Sequence, residues 1–314
     1  MLNLLDFVVR LNAEARKDLG EDSWCYAFGE NDGLLGVFDG CGGSGARKHT
    51  YYSGHSEAYM ASRLCAGAFF DAFRDASTDP PGESVLRIIV RMAQYCQASF
   101  AAYRPASDQK MRIRSAMITT LPTTAAAAIL QCSGHLLTVT AAWAGDSRVY
   151  LLTPDGLSQL SRDDSDDDDP FDTDGMMTNT LNADRAPQIH QRSCRIEQPA
   201  IVLAATDGCF AYYTTPMEFE GVLLSSMLSA SSVAEWEQRL TEQIGMVAGD
   251  DYTMTLAAFG FRSFERLKNA FTMRYEALNE RYLKALAGLP LSDRGMRRQL
   301  WQSYRPGYVR YMEE

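Results

Sequence analysis

The sequence predicts an α+β protein, because stretches with strand patterns and stretches with helical patterns both occur along the chain. Short apolar runs end at turns rich in Gly, Asp and Asn, which is typical of antiparallel hairpins. Other stretches place apolar residues three and four positions apart, which is typical of amphipathic helices. A length of 314 residues, 46% of them hydrophobic, allows a sizeable core in one large domain or two small ones.

The sequence patterns predict strands and helices at distinct positions along the chain. Residues 1–20 fit either an edge strand or a helix. The turn Glu30-Asn31-Asp32-Gly33 predicts a hairpin, Ser56 is the candidate N-cap of the first helix, and Pro80-Pro81-Gly82 ends that helix. Candidate strands cover residues 24–28, 34–38, 123–130, 136–143, 148–152, 200–205 and 252–261, and candidate helices cover residues 56–73, 83–103 and 231–247.

Composition narrows the classes of function. The net charge of −10 argues against a dedicated nucleic-acid-binding protein. The uncharged stretch 115–145 is long enough to consider as a membrane span, but Pro122, Gln131 and Gly134 interrupt it, so two buried strands explain it better. Seven scattered cysteines without a Cys-x-x-Cys pair indicate reduced thiols. Because the N-terminus also lacks a signal-peptide pattern, we expect a cytoplasmic protein.

The C-terminal segment differs from the rest in charge and pattern. Residues 262–314 contain 11 basic and 6 acidic residues, a net charge of +5, which leaves −15 for the remainder. Apolar residues at helical spacing predict one helix over 263–286 and another over 292–304. We therefore divide the chain into a domain of residues 1–262 and a C-terminal helical extension of residues 263–314. This extension is expected to dock on a partner or on its own domain.

Carboxylates recur at the ends of the predicted strands. If these strands belong to one system of sheets, several carboxylates converge at one end, where their like charges require cations. Oxygen ligands at open, hydrated sites suit Mg²⁺ or Mn²⁺. The acidic residues concerned are Glu21, Asp22, Asp39, Asp146, Asp207 and Asp250. The acidic run 163–169 lacks the ligand spacing of an EF-hand loop, and we interpret it as solvated charge.

The order and spacing of these motifs resemble the metal-dependent protein phosphatases of type 2C over residues 15–261. The resemblance implies a four-layer α-β-β-α sandwich of two antiparallel sheets with helices on both outer faces. It also implies hydrolysis of phosphoserine and phosphothreonine in proteins by a water that bridges two Mn²⁺ or Mg²⁺ ions, and a cognate Ser/Thr kinase or its targets as partners. The matching residues are Glu21-Asp22, Val37-Phe38-Asp39-Gly40-x-Gly42-Gly43, Thr123-Thr124-Ala125, Gly145-Asp146-Ser147-Arg148, Thr206-Asp207-Gly208 and Asp250-Asp251-x-Thr253.

The resemblance further implies individual roles. Glu21 corresponds to a residue that contacts metal-bound water. Lys17, with Arg16 beside it, stands at the position of a phosphate-binding Arg, and Lys holds phosphate as a point charge rather than bidentately. The positions that correspond to metal ligands are Asp22, Asp39, Gly40 through its carbonyl, Asp207 and Asp250, with Asp146 for a more weakly bound third ion. The chain departs from the family at Cys41, at Asp251 in place of the usual Asn, and in a longer loop over 43–56.

Two alternatives stay open at this point. Cys41 and Arg47 fit the Cys-x5-Arg pattern of cysteine-dependent phosphatases, in which a thiolate attacks phosphorus. Gly40 precedes this cysteine where that family usually has His, and the ordered aspartates would then lack a role. Alternatively, the fold serves as a non-catalytic binding or regulatory module, for which the loss of a metal-binding aspartate would be the sign. No such aspartate is lost in the sequence.

Overall fold

The computed structural model describes residues 4–48, 52–77, 85–103, 119–165, 177–290 and 292–312. The strands are β1 Leu5–Ala13, β2 Ser23–Phe28, β3 Asp32–Phe38, β4 Ala125–Ser133, β5 Leu136–Ala144, β6 Arg148–Thr153, β7 Gly156–Gln159, β8 His190–Ile196, β9 Ala200–Ala205 and β10 Tyr252–Phe259. The helices are α1 Glu57–Ser77, α2 Val85–Tyr103, α3 Pro216–Ser229, α4 Val233–Gly245, α5 Phe264–Leu278, α6 Lys284–Ala287 and α7 Arg294–Tyr308. A 3-10 turn covers Asp207–Cys209, and a π-helical turn at Asn279–Leu283 joins α5 to α6.

The strands form two five-stranded antiparallel sheets. The first has the order β1-β10-β9-β6-β7, and the second has the order β2-β3-β4-β5-β8. Side chains alternate between the two faces of a strand, and in β4 this sends Ala126, Ala128 and Leu130 toward the other sheet while Ala125, Ala127 and Ile129 face the helices. Both faces of β4 are therefore buried, which explains why its sequence is a continuous apolar run.

Helices cover the outer face of each sheet. The residues of α1 and α2, among them Phe69 and Met92, pack on the second sheet, and those of α3 and α4, among them Leu223 and Trp236, pack on the first. This arrangement confirms the predicted α+β class and the four-layer α-β-β-α sandwich. The Ser56 hydroxyl accepts the Tyr59 N–H at 3.0 Å, which confirms Ser56 as the N-cap of α1.

The C-terminal helices pack on their own chain, against the first sheet and α3. Phe271 of α5 and Trp301 of α7 belong to the same buried cluster as the residues of α3. The fully buried Glu220 of α3 accepts two bonds of 2.7 Å from Arg274 and one of 2.7 Å from the Tyr304 hydroxyl. A buried charge requires such partners, so α5 and α7 satisfy a group in the centre of the helical layer. The domain boundary at residue 262 stays a prediction.

The structure contains elements that the sequence patterns do not reveal. Helix α3 is buried on several sides, so it lacks the polar stripe by which an amphipathic helix is recognised. Strands β7 and β8 are short or carry polar residues at most positions. Residues 1–20 had allowed a strand or a helix, and the structure forms edge strand β1. Residues 80–84 and 166–169, on which a helix stop, the start of α2 and part of the acidic run were predicted, lie outside the described residues.

Within the uncharged stretch 115–145, residues 125–133 form strand β4 and residues 136–144 form strand β5. In the described ranges, no helix combines the length and the apolar character needed to cross a membrane.

Candidate metal and phosphate site

Acidic side chains from both sheets meet at one end of the sandwich. Asp22 and Asp39 flank the paired ends of β2 and β3, where Ser23 lies opposite Phe38. Asp207 follows β9 at the end where Ala205 lies opposite Met254 of β10. Because antiparallel neighbours bring the end of one strand beside the start of the next, residues far apart in sequence become adjacent.

Asp39 is fixed by its backbone. Its carbonyl accepts the Thr123 hydroxyl at 2.7 Å and the Thr124 N–H at 2.8 Å, and its own N–H donates to the Thr124 hydroxyl at 3.3 Å. The sequence Thr123-Thr124 therefore holds the end of β3 in place. Gly40 follows in a tight passage, because a Cβ there would lie 2.5 Å from the Ala58 carbonyl oxygen. A residue with a side chain would push this turn out of position.

Asp22 is held from the first sheet. Its side chain is 5% exposed, and its Oδ2 accepts the Thr206 hydroxyl at 2.8 Å. Thr206 also donates its N–H to the Thr253 carbonyl at 2.9 Å. One threonine therefore connects β9, β10 and the carboxylate that precedes β2.

Asp207 opens the 3-10 turn after β9. Its carbonyl accepts the Phe210 N–H at 2.9 Å and the Ala211 N–H at 2.7 Å. A Cβ on the next residue, Gly208, would lie 1.9 Å from the Asp251 carbonyl oxygen. This close approach brings Asp207 beside the Asp250-Asp251 loop, and only glycine permits it.

Asp146 lies in the turn between β5 and β6. Gly145 before it has φ +95°, a conformation that favours glycine. The Asp146 Oδ1 atom is buried and has no hydrogen-bond partner among the described residues. An acceptor in this state costs free energy unless a donor or a cation reaches it, so the atom is suited to a ligand that the protein itself does not supply.

The aspartates raise one another's pKa. Burial, together with the Asp207 carboxylate, raises the pKa of Asp22 and of Asp146 to about 7. Burial and the Asp22 carboxylate raise the pKa of Asp39 well above its ordinary value. Burial and the Asp250 carboxylate raise the pKa of Asp207. Five of the predicted acidic residues therefore lie close enough for their carboxylates to repel one another. They are Asp22, Asp39, Asp146, Asp207 and Asp250.

Glu21 and Asp251 are connected through the backbone. The Asp251 carboxylate accepts the Ala15 N–H on Oδ1 and the Glu21 N–H on Oδ2, both at 2.7 Å. The Ser56 hydroxyl donates to Glu21 Oε1, and burial raises the pKa of Glu21. Asp251 thus closes the β1–β2 loop with two bonds, whereas an asparagine at this position has a single side-chain oxygen to accept them.

A cavity of about 340 Å³ opens beside Glu21 and Asp250. Arg16, Lys48 and His55 supply basic side chains to its lining, whereas Lys17 is exposed and does not line it. Lys48 and His55 come from the long loop after Asp39, and sequence reasoning did not assign them to the site. The unusual length of that loop was the feature of the sequence that could have indicated their contribution to the site.

An aromatic stack supports this wall of the cavity. The His55 ring lies 3.8 Å from the Tyr59 ring in a parallel arrangement, and the Arg63 guanidinium lies 3.4 Å from the centre of the Tyr59 ring. Arg63 also donates to the Gly20 carbonyl at 3.1 Å and to the Glu21 carbonyl at 3.4 Å. The first turns of α1 therefore hold the segment that carries Glu21.

The surroundings of Cys41 do not favour a thiolate. Burial, followed by the Asp39 and Asp146 carboxylates, raises the pKa of the thiol well above its ordinary value. A nucleophilic cysteine requires the opposite, a cationic environment that lowers its pKa. Arg47 pairs with the buried Glu57, with Nε 3.9 Å from Oε1.

The beginning of the acidic run is bound into the structure. Asp163 forms an ion pair of 2.6 Å with Arg148, whose guanidinium also lies 4.2 Å from the centre of the Phe210 ring. Asp164 accepts the Gly145 N–H at 2.9 Å. These two residues are therefore structural, unlike the solvated charge expected from the sequence, and they hold the turn that carries Asp146.

Solved phosphatase structures share this architecture. No family model matches the sequence, and no curated protein matches it. The serine/threonine phosphatase Stp1 from Staphylococcus aureus is 15% identical with a TM-score of 0.58, over 82% of this chain and 96% of that one. The catalytic domain of the phosphatase PstP in complex with two manganese ions is 17% identical with a TM-score of 0.53, over 82% and 99%.

A sex-determining protein from C. elegans is also similar, at 15% identity and a TM-score of 0.61, over 84% of this chain and 67% of that one. Identities at this level show the fold. The protein has the fold of the bacterial serine/threonine phosphatases, as its resemblance to the type 2C family predicts.

Proposed function

We propose that the protein is a metal-dependent phosphatase that hydrolyses phosphoserine and phosphothreonine in cytoplasmic proteins. The observation that carries this proposal is the convergence of Asp22, Asp39, Asp146 and Asp207, from four separate turns, beside a cavity whose lining includes Arg16 and Lys48. Buried carboxylates that raise one another's pKa are stabilised in their ionised form by cations. The phosphatase fold supports the same conclusion.

The donor set fits Mn²⁺ or Mg²⁺. All candidate ligands are hard oxygen atoms, and the buried Asp146 Oδ1 lacks a partner from the described residues. Within those residues, no group of three His, Cys, Asp or Glu side chains is arranged to hold an ion by itself. Mg²⁺ in phosphoryl-transfer sites is commonly bound through one or two carboxylates, with waters and phosphate oxygens as its remaining ligands. We assign two ions to Asp22, Asp39, the Gly40 carbonyl, Asp207 and Asp250, and a weaker third ion to Asp146.

Bound ions would lower the pKa of water and stabilise negative charge on the phosphoryl oxygens. The chain's own residues orient the reactants. Glu21, whose Oε1 accepts the Ser56 hydroxyl, lines the cavity, where its carboxyl group can form a hydrogen bond with water, and burial raises its pKa. Arg16 in the cavity wall attracts the phosphate dianion, and the exposed Lys17 beside it in sequence adds a positive charge outside the cavity lining. The substrate is a phosphoprotein, and the kinase that phosphorylates it is the corresponding partner.

Phosphopeptide turnover tests the proposal. The full chain is assayed with Mn²⁺, with Mg²⁺ and with EDTA, and phosphate release is expected only with a metal ion. Asp207→Asn keeps the size of the side chain but weakens the ligand, so turnover should fall by orders of magnitude and Mn²⁺ affinity by calorimetry should also fall. Asp155→Asn, an exposed change on the β6–β7 turn, is the matched control.

Two results would contradict the proposal. Wild-type turnover and Mn²⁺ affinity in a folded Asp207→Asn protein would remove the metal assignment. Phosphopeptide binding without turnover under every metal condition would favour the non-catalytic binding module.

A further inference from the structure

A second cavity lies at the other end of the first sheet. It has a volume of about 210 Å³ and lies between the β6–β7 hairpin and the C-terminal helices. Strand β6 begins near Asp146 at Arg148 and ends at this cavity with Thr153. Its six residues span roughly 20 Å at about 3.3 Å per residue, so the two cavities are separate.

Three arginines contribute to the lining of this second cavity. We call it the arginine cavity, after Arg274, Arg281 and Arg310. Among the described residues that line this cavity, one is acidic, Asp155. This cavity therefore concentrates part of the positive charge that distinguishes residues 262–314 from the rest of the chain.

The three arginines differ in their partners. Arg274 is bound to the buried Glu220 through Nε and Nη2, at 2.7 Å each, so its charge is compensated. Arg281 and Arg310 are exposed, and within the described residues neither has an acidic side chain within ion-pair distance. Two guanidinium groups that line one concave surface and have no ion pair among the described residues repel each other, and a bound anion relieves that repulsion.

The frame of the arginine cavity is rigid. Gly156 has φ +136°, and a Cβ there would lie 2.6 Å from Arg274 Nη2, so the hairpin backbone and the guanidinium are closely packed. The Tyr308 hydroxyl donates to Gln159 Oε1 at 2.8 Å, and the Ser158 hydroxyl donates to the Gly307 carbonyl at 2.8 Å. These bonds hold α7 on β7, so the cavity is formed before any ligand arrives.

Arg281 enters the cavity from the π-helical turn at Asn279–Leu283. A π turn inserts an extra residue into a helical turn and redirects the side chains that follow, and such turns occur frequently at functional sites. The turn is thus a second sign, independent of charge, that this surface is shaped for a ligand.

From this geometry we infer that the arginine cavity binds the phosphate group of a small ligand, either free phosphate or a small phosphomonoester. The planar guanidinium forms paired hydrogen bonds with phosphate oxygens, and Arg281 and Arg310 supply two such groups. The volume is below the roughly 300–1,000 Å³ of pockets for drug-sized ligands, which suits a phosphate group better than a nucleotide. The inference does not depend on the proposed phosphatase activity.

Calorimetric titration of the full chain in EDTA tests this inference. Inorganic phosphate and glycerol phosphate are the two probes, and tighter binding of one of them identifies the source of the phosphate group. Replacing both cavity arginines, as Arg281→Ala with Arg310→Ala, should raise the Kd at least about tenfold, because charged hydrogen bonds are lost. Arg266→Ala on α5 removes an equal charge outside the cavity and should leave the Kd unchanged.

Arg16→Ala, in the first cavity, separates the two sites and should also leave this Kd unchanged. Thermal unfolding of each variant verifies that it is folded. Absence of binding of both probes to the wild-type chain at millimolar concentration would overturn the inference. So would an unchanged Kd in the folded double variant, or a loss of binding in Arg16→Ala alone.

Discussion

Replacing Asp22 by Asn is expected to stabilise the metal-free protein at neutral pH. Asp22 is 5% exposed, and burial, together with the Asp207 and Asp251 carboxylates, raises its pKa from 3.8 to about 7. In the unfolded chain an aspartate ionises near pH ~3.9. Between these values the folded state keeps a proton that the unfolded state releases, so the free energy of unfolding falls as the pH rises.

The size of the effect follows from the pKa difference. The free energy of unfolding falls by about 1.4 kcal/mol for each pH unit between the two pKa values. Above pH 7 the wild type has therefore lost about 4 kcal/mol of stability. Asn carries no charge and can still accept a hydrogen bond from the Thr206 hydroxyl. The stability of the Asp22→Asn variant therefore does not fall with pH through this position. We expect the variant to equal the wild type near pH 4 and to exceed its stability by up to about 4 kcal/mol at pH 8.

Urea unfolding in EDTA at pH 4, 6 and 8 measures this difference, with Asp155→Asn as the matched control. Excess Mn²⁺ should reverse the order at pH 8, because metal ions bound to the native state stabilise the wild type more. The electrostatic reasoning would be refuted if the difference in stability between the wild type and Asp22→Asn stayed constant with pH. Equal stabilisation of both by Mn²⁺ would refute Asp22 as a metal ligand.

Three further predictions concern other parts of the chain. Cys41→Ser should retain most phosphopeptide turnover, because burial and the nearby Asp39 carboxylate raise the pKa of the thiol and disfavour a nucleophilic thiolate. An inactive but folded variant would restore the cysteine mechanism. Asp251→Asn should lose one of the two hydrogen bonds that Asp251 accepts from the Ala15 and Glu21 N–H groups, and its free energy of unfolding should fall by about 1 kcal/mol. The variant should also raise KM more than it lowers kcat. An unchanged KM and an unchanged unfolding midpoint would show that the second hydrogen bond is dispensable. Removal of residues 263–314 deprives buried Glu220 of both partners, so the truncated chain should be insoluble or lack a cooperative unfolding transition. A soluble, cooperatively folded truncation with turnover within a fewfold of wild type would instead support an independent extension.

The sequence by itself determined the elements whose pattern is local. Strand β9 and the Asp207 that follows it are recognisable because an apolar run ends at an Asp-Gly turn, and the β2–β3 hairpin because its turn residues favour a reversal. These strands and turns depend on neighbouring residues, so periodicity and turn chemistry are sufficient to find them. The four-layer fold was instead implied by the resemblance of the ordered acidic motifs to the type 2C phosphatases.

Other features were decided only by the tertiary structure. Helix α3 is surrounded by apolar partners, so its sequence carries no polar face, and its buried Glu220 is intelligible only with Arg274 and Tyr304 from helices more than fifty residues away. The cavity position of Lys48 results from its β-bridge with Ser56 at the start of α1. Spacing in sequence does not encode such distances, because packing of the layers brings these groups together. The mutual pKa shifts of Asp22 and its neighbours likewise exist only where burial and proximity coincide.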